Sequence, residues 1–396
     1  MITIEDIRKA HESIRHLVHK TPLIRSHSLS AMSGAEVYLK AENLQKTGSF
    51  KVRGALNRIQ SPHAGKVIAA SLGNHAQGVA FAAARLGVTA KIVMPLSAPL
   101  VKEEATRGYG ADVVLHGENL AEALAYALSQ KDYAFIHPFD DDLVIAGQGT
   151  IGLEILEDLP HPDCVLVPVG GGGLISGVAT AVKSLAPETA VVGVQTESAL
   201  SAHASFRERK VVGRPPSPTL ADGIAVGTIC ERTLALMNRY VDDLVSVSET
   251  SLAPAILLFL ERTKLMVEGA GAVPLAALLS DPERFKGKRV VLVISGGNID
   301  STLIDRIIHK GLLAGGRVGV FTVVADDIPG SLQTLSAVIA AHRGNILDVV
   351  HERYAYDLPV GKTGVVFTVE TRGRRHLDAI LEDLTSRGFE VRKKGN

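Results

Sequence analysis

The feature that most constrains this chain is a long alternation of short β-type runs with helical patterns over about the first 300 residues. Several runs are continuously apolar, which is typical of strands that helices cover on both sides of a sheet. The predicted helices include 76–86, 119–130, 174–185 and 252–264, and the first of them stops at Gly87, a residue that commonly follows a helix end. The alternation predicts a doubly wound α/β architecture with parallel strands. The predicted strands are 36–40, 67–70, 91–94, 113–115, 164–169, 191–195 and 289–294.

The pattern changes near residue 312, where Leu-Leu-Ala-Gly-Gly predicts a linker at 312–316. After it, strand and helix patterns follow in the order βαββαβ. This order predicts a smaller ferredoxin-like domain over 317–396.

Charge and composition exclude several classes of protein. The chain has 396 residues with 42 Lys+Arg and 42 Asp+Glu, so the formal net charge is zero, and we expect neither a nucleic-acid nor a membrane partner. Apolar residues make up 46%, enough for a large core. The only cysteines are Cys164 and Cys230, and no secretory signal is visible, so we expect a cytoplasmic protein.

Two glycine-bearing turns could hold a phosphate-bearing ligand. Gly170, Gly171, Gly172 and Gly173 lie between a predicted strand and a helix that starts near Leu174. Their N–H groups and the helix N-terminus suit a phosphate, but a merely tight turn remains an equal alternative. The turn around Thr47-Gly48-Ser49-Phe50-Lys51 places a lysine at a helix start. On this segment alone a solvated lysine is the simpler interpretation; partial burial would free its amine for carbonyl chemistry.

Two further turns could bind the polar groups of a ligand. Ser71, Asn74 and His75 precede a helix, where N–H groups converge on a carboxylate, although ordinary helix capping explains Ser71 and Asn74 equally well. For His75 a surface position in the first turn of the helix is the simpler interpretation, and a catalytic role is the alternative. Ser295 ends a strand beside Gly296 and Gly297, where it could face a flat ligand or simply form a turn.

Together and in this order, these motifs resemble the fold-type II pyridoxal-phosphate enzymes, and within them the threonine dehydratase and serine racemase group. The similarity covers about residues 1–311, with a small lobe at about 41–140 inserted in the large lobe. Residues 317–396 resemble an ACT regulatory domain. The matching motifs are Ser49-Phe50-Lys51 followed by Arg53-Gly54-Ala55, Gly73-Asn74-His75-Ala76-Gln77-Gly78, the tetraglycine loop, Leu220-Ala221-Asp222-Gly223, Glu268-Gly269-Ala270-Gly271-Ala272, Ser295-Gly296-Gly297-Asn298 and, in the last domain, Asp327-Ile328-Pro329-Gly330-Ser331-Leu332 with Gly344-Asn345-Ile346.

The resemblance implies a role for each residue around a bound pyridoxal 5′-phosphate. Lys51 would bind the cofactor as a Schiff base and then take the substrate α-proton. The implied cofactor contacts are Gly170, Gly171, Gly172, Gly173 and Leu174 for the phosphate, Asn74 for the ring 3-oxygen, Phe50 beside the ring and Ser295 for the pyridine nitrogen. Ser71, with the backbone at Asn74 and His75, would bind the substrate carboxylate.

The resemblance also implies an activity: conversion of L-threonine to 2-oxobutanoate and ammonia, with L-serine as a side substrate, in the setting of isoleucine biosynthesis. An amino-acid effector, isoleucine or valine, would bind between paired ACT domains near Gly330 and Asn345, in a homodimer or homotetramer. Two alternatives remain. Leu72 stands where racemases carry a serine, which opposes an amino-acid racemase, and the intact Lys51 opposes a catalytically idle amino-acid sensor. Gln195 replaces the glutamate of metal-binding relatives, so we expect no acidic divalent-metal site there; a monovalent ion held by carbonyl groups stays an open alternative.

Overall fold

The structure is a computed structural model that describes residues 1–61, 65–353 and 358–393. It divides into two compact units, Met1–Asp300 and Ser301–Asn396. None of the helices within the described ranges is long and apolar enough to cross a membrane.

The first unit contains the elements that alternate in the sequence. They are α1 (Ile4–Ile14), β1 (Leu23–Arg25), α2 (His27–Ser33), β2 (Glu36–Ala41), α3 (Lys51–Ile59), β3 (Lys66–Ala70), α4 (Asn74–Leu86), β4 (Thr89–Met94), α5 (Leu100–Gly108), β5 (Asp112–Leu115), α6 (Leu120–Ser129), β6 (Ala134–Phe135), α7 (Asp142–Asp158), β7 (Cys164–Pro168), α8 (Gly173–Leu185), β8 (Ala190–Thr196), α9 (Ser201–Glu208), α10 (Glu231–Tyr240), β9 (Asp243–Val247), α11 (Glu249–Leu258), α12 (Gly269–Ser280), α13 (Pro282–Phe285) and β10 (Arg289–Ile294).

Two sheets organise this unit into two lobes. The large lobe has a six-stranded sheet in the order β1-β2-β10-β7-β8-β9. All of its neighbouring pairs are parallel except β1 with β2. The small lobe has a four-stranded parallel sheet in the order β5-β4-β3-β6, which falls inside the predicted range 41–140. The doubly wound α/β prediction is confirmed, with one antiparallel edge strand as the exception.

The second unit consists of α14 (Ser301–Ala314), β11 (Val318–Asp326), α15 (Ser331–Ala341), β12 (Asn345–Glu352), β13 (Lys362–Glu370), α16 (Arg374–Ser386) and β14 (Glu390–Lys393). Its sheet has the order β12-β13-β11-β14 and is antiparallel. Apolar residues of α15 and α16, such as Leu335 and Ile380, pack on this sheet. The predicted βαββαβ order and ferredoxin-like fold are confirmed.

Three local predictions need correction. The prediction missed β1, β6 and β9, of which β1 and β6 have only three and two residues. The helix predicted at 252–264 begins earlier, at Glu249, and gives way to a π-helical turn at Phe259–Thr263. The linker predicted at 312–316 is helical up to Ala314, because leucine and alanine continue α14 until the Gly315-Gly316 pair.

A buried cluster of charges anchors the start of α3. The Arg53 guanidinium donates to Glu42 at 2.8 Å and to Glu154 at 2.7 and 2.8 Å, while Lys40 donates to Glu154 at 2.6 Å. None of the four side chains is more than 2% exposed. Burial alone would raise the pKa of Glu42, but the neighbouring Arg53 outweighs it and lowers that pKa. The cluster ties α3, which begins at Lys51, to the end of β2 and to α7.

Candidate active site

One cavity of about 520 Å³ opens between the two lobes, at the carboxyl ends of β3, β7 and β10. The structure brings every residue predicted for the catalytic unit to this cavity. Its lining includes Phe50, Lys51, Ser71, Asn74, His75, Gly170, Gly171, Gly172, Gly173, Leu174 and Ser295.

Lys51 begins α3, and its amine points into the cavity. Its Nζ donates to the Pro138 carbonyl at 3.1 Å and lies 5.1 Å from the centre of the Phe50 ring. Burial lowers the pKa of Lys51 to about 8, against an opposing pull from Glu268. With this pKa about a tenth of the amine is neutral at pH 7 and about half at pH 8, and the neutral amine is the nucleophile that a carbonyl group requires.

The turn before Lys51 is fixed to the end of β10. The Phe50 N–H donates to the Ser295 carbonyl at 3.1 Å, and the Gly297 N–H donates to the Gly48 carbonyl at 2.9 Å. Residues from distant parts of the sequence are thus held side by side at one wall of the cavity.

The tetraglycine loop connects β7 to α8. Gly172 has a φ of +90°, in the left-handed region that favours glycine. A Cβ at Gly171 would lie 2.3 Å from the Phe139 ring, so a side chain there would displace that ring. The loop leaves the N–H groups at the start of α8 open to the cavity, and this arrangement suits a phosphate.

The Ser295 hydroxyl gives the second sign of a ligand. Ser295 is 2% exposed, and within the described ranges its Oγ has no hydrogen-bond partner. A buried hydroxyl normally has a partner, so a ligand in the cavity is expected to supply one. A phosphate cradle, a reactive lysine and an unpaired hydroxyl in one cavity fit pyridoxal phosphate.

In the turn before α4, the predicted site residues already form hydrogen bonds with other parts of the protein. Ser71 Oγ accepts from the Gly73 N–H at 3.2 Å, so its hydroxyl proton is available to a substrate. Asn74 Nδ2 donates to both carboxylate oxygens of Glu268, at 2.8 and 3.0 Å. His75 is 4% exposed, and its Nε2 lies 2.8 Å from the Ile136 carbonyl. Burial and the nearby Lys51 lower the pKa of His75 to about 3, so its ring is neutral at physiological pH.

Several residues that line this cavity were given no role from the sequence, and four of them bear on its chemistry. Glu268 stands in a matched glycine-rich motif, but no role was predicted for it. Pro138 and Phe139 follow β6, which was itself missed. Lys102 of α5 lies 3.4 Å from Asp222 and thereby pairs the small lobe with the large lobe at the cavity's edge.

Gln195 has a structural role in the described protein. Its Nε2 donates to the Val169 carbonyl at 3.1 Å, and its Oε1 accepts from the His203 N–H at 2.8 Å. Across the three described segments there is no group of three or more His, Cys, Asp or Glu side chains that could hold a metal ion.

The fold and this site define a class of protein, and comparison with known proteins agrees. A family model described as pyridoxal-phosphate dependent enzyme matches residues 14–296. The chain belongs to this family, and its architecture is that of the fold-type II members.

Individual proteins that are similar to this chain are threonine ammonia-lyases and related enzymes. The chain is 49% identical, over the whole of both chains, to an L-threonine ammonia-lyase of Thermotoga maritima. Among solved structures it is similar to a threonine deaminase from T.th., at 45% identity and a TM-score of 0.71, covering 76% of this chain and 99% of that one. It is also similar to maize serine racemase, at 34% identity and a TM-score of 0.73, covering 79% and 98%.

Proposed function

We propose that this enzyme converts L-threonine to 2-oxobutanoate and ammonia, with L-serine as a slower substrate that yields pyruvate. The observation that carries the proposal is the shared cavity of Lys51, the tetraglycine loop and Ser295. Full-length similarity to a threonine ammonia-lyase supports the choice of substrate. When bound, pyridoxal phosphate supplies the electron sink that acidifies the substrate's α-C–H bond.

Lys51 performs two tasks in this proposal. Its amine, with a pKa of about 8, would hold the cofactor covalently through the cofactor's aldehyde, with loss of water. With the substrate amine in its place on the cofactor, the free Nζ would accept the substrate's α-proton. The Pro138 carbonyl, 3.1 Å from Nζ, accepts a hydrogen bond from the released amine and keeps it in the cavity.

The other cavity residues hold and orient the reactants. The N–H groups of 170–174 would bind the cofactor phosphate, Phe50 would pack beside the ring, and Asn74 would donate to the ring 3-oxygen. Ser71 and the backbone at Asn74 and His75 bind the substrate carboxylate. Ser295 would bond the pyridine nitrogen without holding a proton there as a carboxylate would. This would favour prompt loss of the β-hydroxyl group, which must be protonated and leaves as water.

The racemase alternative is opposed by the cavity's apolar and neutral groups. Leu72 and Phe139 both line the cavity, and neither side chain can carry a proton. His75 is neutral and already bonded to the Ile136 carbonyl. A racemase needs a second group that returns a proton to the opposite face of the α-carbon, and these residues do not provide it.

The decisive assay follows keto acid and ammonia release from L-threonine by the purified full-length protein. We expect a yellow, borohydride-reducible protein that forms 2-oxobutanoate and ammonia in equal amounts. Lys51→Ala should fold but lose the reducible chromophore and nearly all turnover. A folded, yellow wild-type protein that releases no ammonia from threonine or serine would refute the proposed reaction.

We further propose that 317–396 is an ACT domain that pairs with a second copy and binds an amino-acid effector. Its edge strand β12 exposes Leu347, Val349 and Val350, as a surface for pairing would. Gly330, with a φ of +94°, precedes α15, and Asn345 follows that helix. At 1.5 Å per residue they are about 16 Å apart along α15, so a site using both residues needs two copies.

Removal of the C-terminal domain tests this regulation. We propose a homodimer or homotetramer, measurable by light scattering, with isoleucine or valine as effector. A chain ending at Gly316 should keep its elimination activity and lose any effector response. An unchanged response in that shortened enzyme would place the effector site within the catalytic unit. If the full-length enzyme responds to no effector, the domain serves only to pair two copies of the chain.

Two free cysteines bear on the proposed location of the protein. Cys164 is buried, and neither it nor Cys230 forms a disulfide. Both observations support the proposed location in the reducing cytoplasm.

A further inference from the structure

A line of hydrogen-bonded side chains crosses the cavity wall. Asn298 Nδ2 donates to the Thr47 carbonyl and to Asn74 Oδ1, both at 2.8 Å. Asn74 Nδ2 in turn donates to the Glu268 carboxylate at 2.8 and 3.0 Å. The Thr47 carbonyl accepts only from the amide nitrogen of Asn298, so that nitrogen is the atom that Asn298 presents to Asn74. Asn74 must therefore turn its own oxygen toward Asn298 and its nitrogen toward Glu268.

This line joins the two lobes. Asn74 begins α4 of the small lobe, whereas Glu268 precedes α12 and Asn298 follows β10 of the large lobe. A backbone hydrogen bond fixes the position of Glu268, because its N–H donates to the Gly296 carbonyl at 3.1 Å. A Cβ at Gly296 would come within 2.5 Å of Glu268 Oε1, so a glycine there leaves room for the carboxylate.

Glu268 is only 6% exposed, and its charge responds to pH near neutrality. Burial raises the pKa of Glu268 to about 7, although the hydrogen bond from Asn74 works in the opposite direction. The charged groups that face it are Asp222, which also raises that pKa, and Lys102 and Lys51, which lower it. The carboxyl group is therefore mostly neutral at pH 6 and mostly charged at pH 8.5.

We propose that Glu268 is a positioning residue: its carboxylate holds the Asn74 amide so that the second N–H of that amide faces the cofactor. The inference rests on the cofactor-binding role proposed for Asn74. An amide nitrogen has two protons, and a carboxylate that shares one of them between its two oxygens leaves the other for the cofactor. A hydrogen bond to a charged carboxylate is about twice as strong as one to a neutral acceptor, so Asn74 is held more firmly above pH 7 than below it.

The test measures cofactor binding without the covalent bond to Lys51. The probe is pyridoxine 5′-phosphate, which lacks the aldehyde, titrated by calorimetry into the full-length chain stripped of its cofactor. We expect Glu268→Gln to weaken binding about five- to tenfold at pH 8.5 and less than about twofold at pH 6. Glu249→Gln is the matched control, because Glu249 is a hydrogen-bonded carboxylate of the same lobe outside the cavity lining. It should bind like wild type at both pH values.

Two further variants separate positioning from a general structural effect. If Glu268 acts through Asn74, the double variant Asn74→Ala with Glu268→Gln should bind no worse than Asn74→Ala alone. Glu268→Asp keeps the charge and should keep the pH dependence, which provides a second route if Glu268→Gln folds poorly.

The inference is overturned if Glu268→Gln loses affinity equally at both pH values, or if the two losses add in the double variant. An Asn74→Ala protein that binds normally would also overturn it, together with the role proposed for Asn74. Those outcomes leave the proposed reaction standing, since the assay of 2-oxobutanoate and ammonia tests that separately.

Discussion

Replacing Lys51 by methionine should stabilise the cofactor-free protein, in spite of destroying its activity. The pKa of Lys51 falls from its ordinary 10.5 to about 8 because the amine is buried. A fall in pKa from 10.5 to about 8 corresponds to about 3 kcal/mol. Keeping a charged amine in the cavity costs the folded state this amount.

The sign and the pH window follow from proton binding. The unfolded chain keeps the Lys51 proton up to about pH 10.5, whereas the folded protein releases it near pH 8. The folded state therefore binds fewer protons between these values, and the wild-type free energy of unfolding rises with pH in this window. The cost is about 3 kcal/mol at pH 7 and about 1 kcal/mol at pH 9.5.

Methionine removes this cost but also removes the hydrogen bond to Pro138, worth about 1 kcal/mol. The net gain is about 2 kcal/mol at pH 7 and close to zero at pH 9.5. For a large domain this corresponds to a rise in Tm of about 4 to 8 °C at pH 7.

Scanning calorimetry of the full-length, cofactor-free proteins at the two pH values measures the difference. Lys131→Met, at an exposed lysine, serves as the control and should change Tm little at either pH. The reasoning fails if Lys51→Met is no more stable than wild type at pH 7. It also fails if the gain is the same at pH 7 and pH 9.5, because burial of a titrating amine cannot give a pH-independent difference.

Three further predictions address other parts of the catalytic unit. Gly171→Ala should weaken pyridoxal-phosphate binding at least about tenfold, because the added Cβ would lie 2.3 Å from the Phe139 ring. The control variant Gly108→Ala, which has open space around the added Cβ, should bind the cofactor normally in the same titration. Arg53→Met should lower the free energy of unfolding by about 3 to 5 kcal/mol in urea, since it leaves two buried carboxylates without their main cation; a loss below about 1 kcal/mol would contradict the anchoring role. Because Leu72 cannot move a proton, D-serine should not accumulate while L-serine is consumed, and chiral chromatography that finds it would revive the racemase alternative.

Much of the architecture could be predicted because it depends on the pattern of residues that are near one another in the sequence. Apolar runs fixed the buried strands β7 and β10, and Gly87 marked the end of α4, where it adopts a left-handed φ of +67°. Strands such as β1 and β6 escaped prediction because two or three residues carry too little periodicity. Their place is set by pairing with β2 and β3, which lies outside any local window.

The candidate site divides in the same way. Lys51, the tetraglycine loop and Ser295 could be singled out because each stands at a strand–helix junction, where open α/β sheets bind ligands. Glu268 could not, since a glutamate before a helix is commonly just a favourable first-turn charge. Its role appears only when Asn74, 194 residues away in sequence, is seen to donate to it.

The sequence by itself determined which groups are available: an amine, a row of backbone N–H groups, a hydroxyl and a carboxyl, each at the end of a strand or the start of a helix. Only the tertiary structure decided their chemical state. Burial in one cavity lowers the pKa of Lys51 to about 8, holds His75 neutral and raises the pKa of Glu268 to about 7. These shifts arise from lost solvent and from charges on other elements, and neither quantity exists until the two lobes close around the cavity.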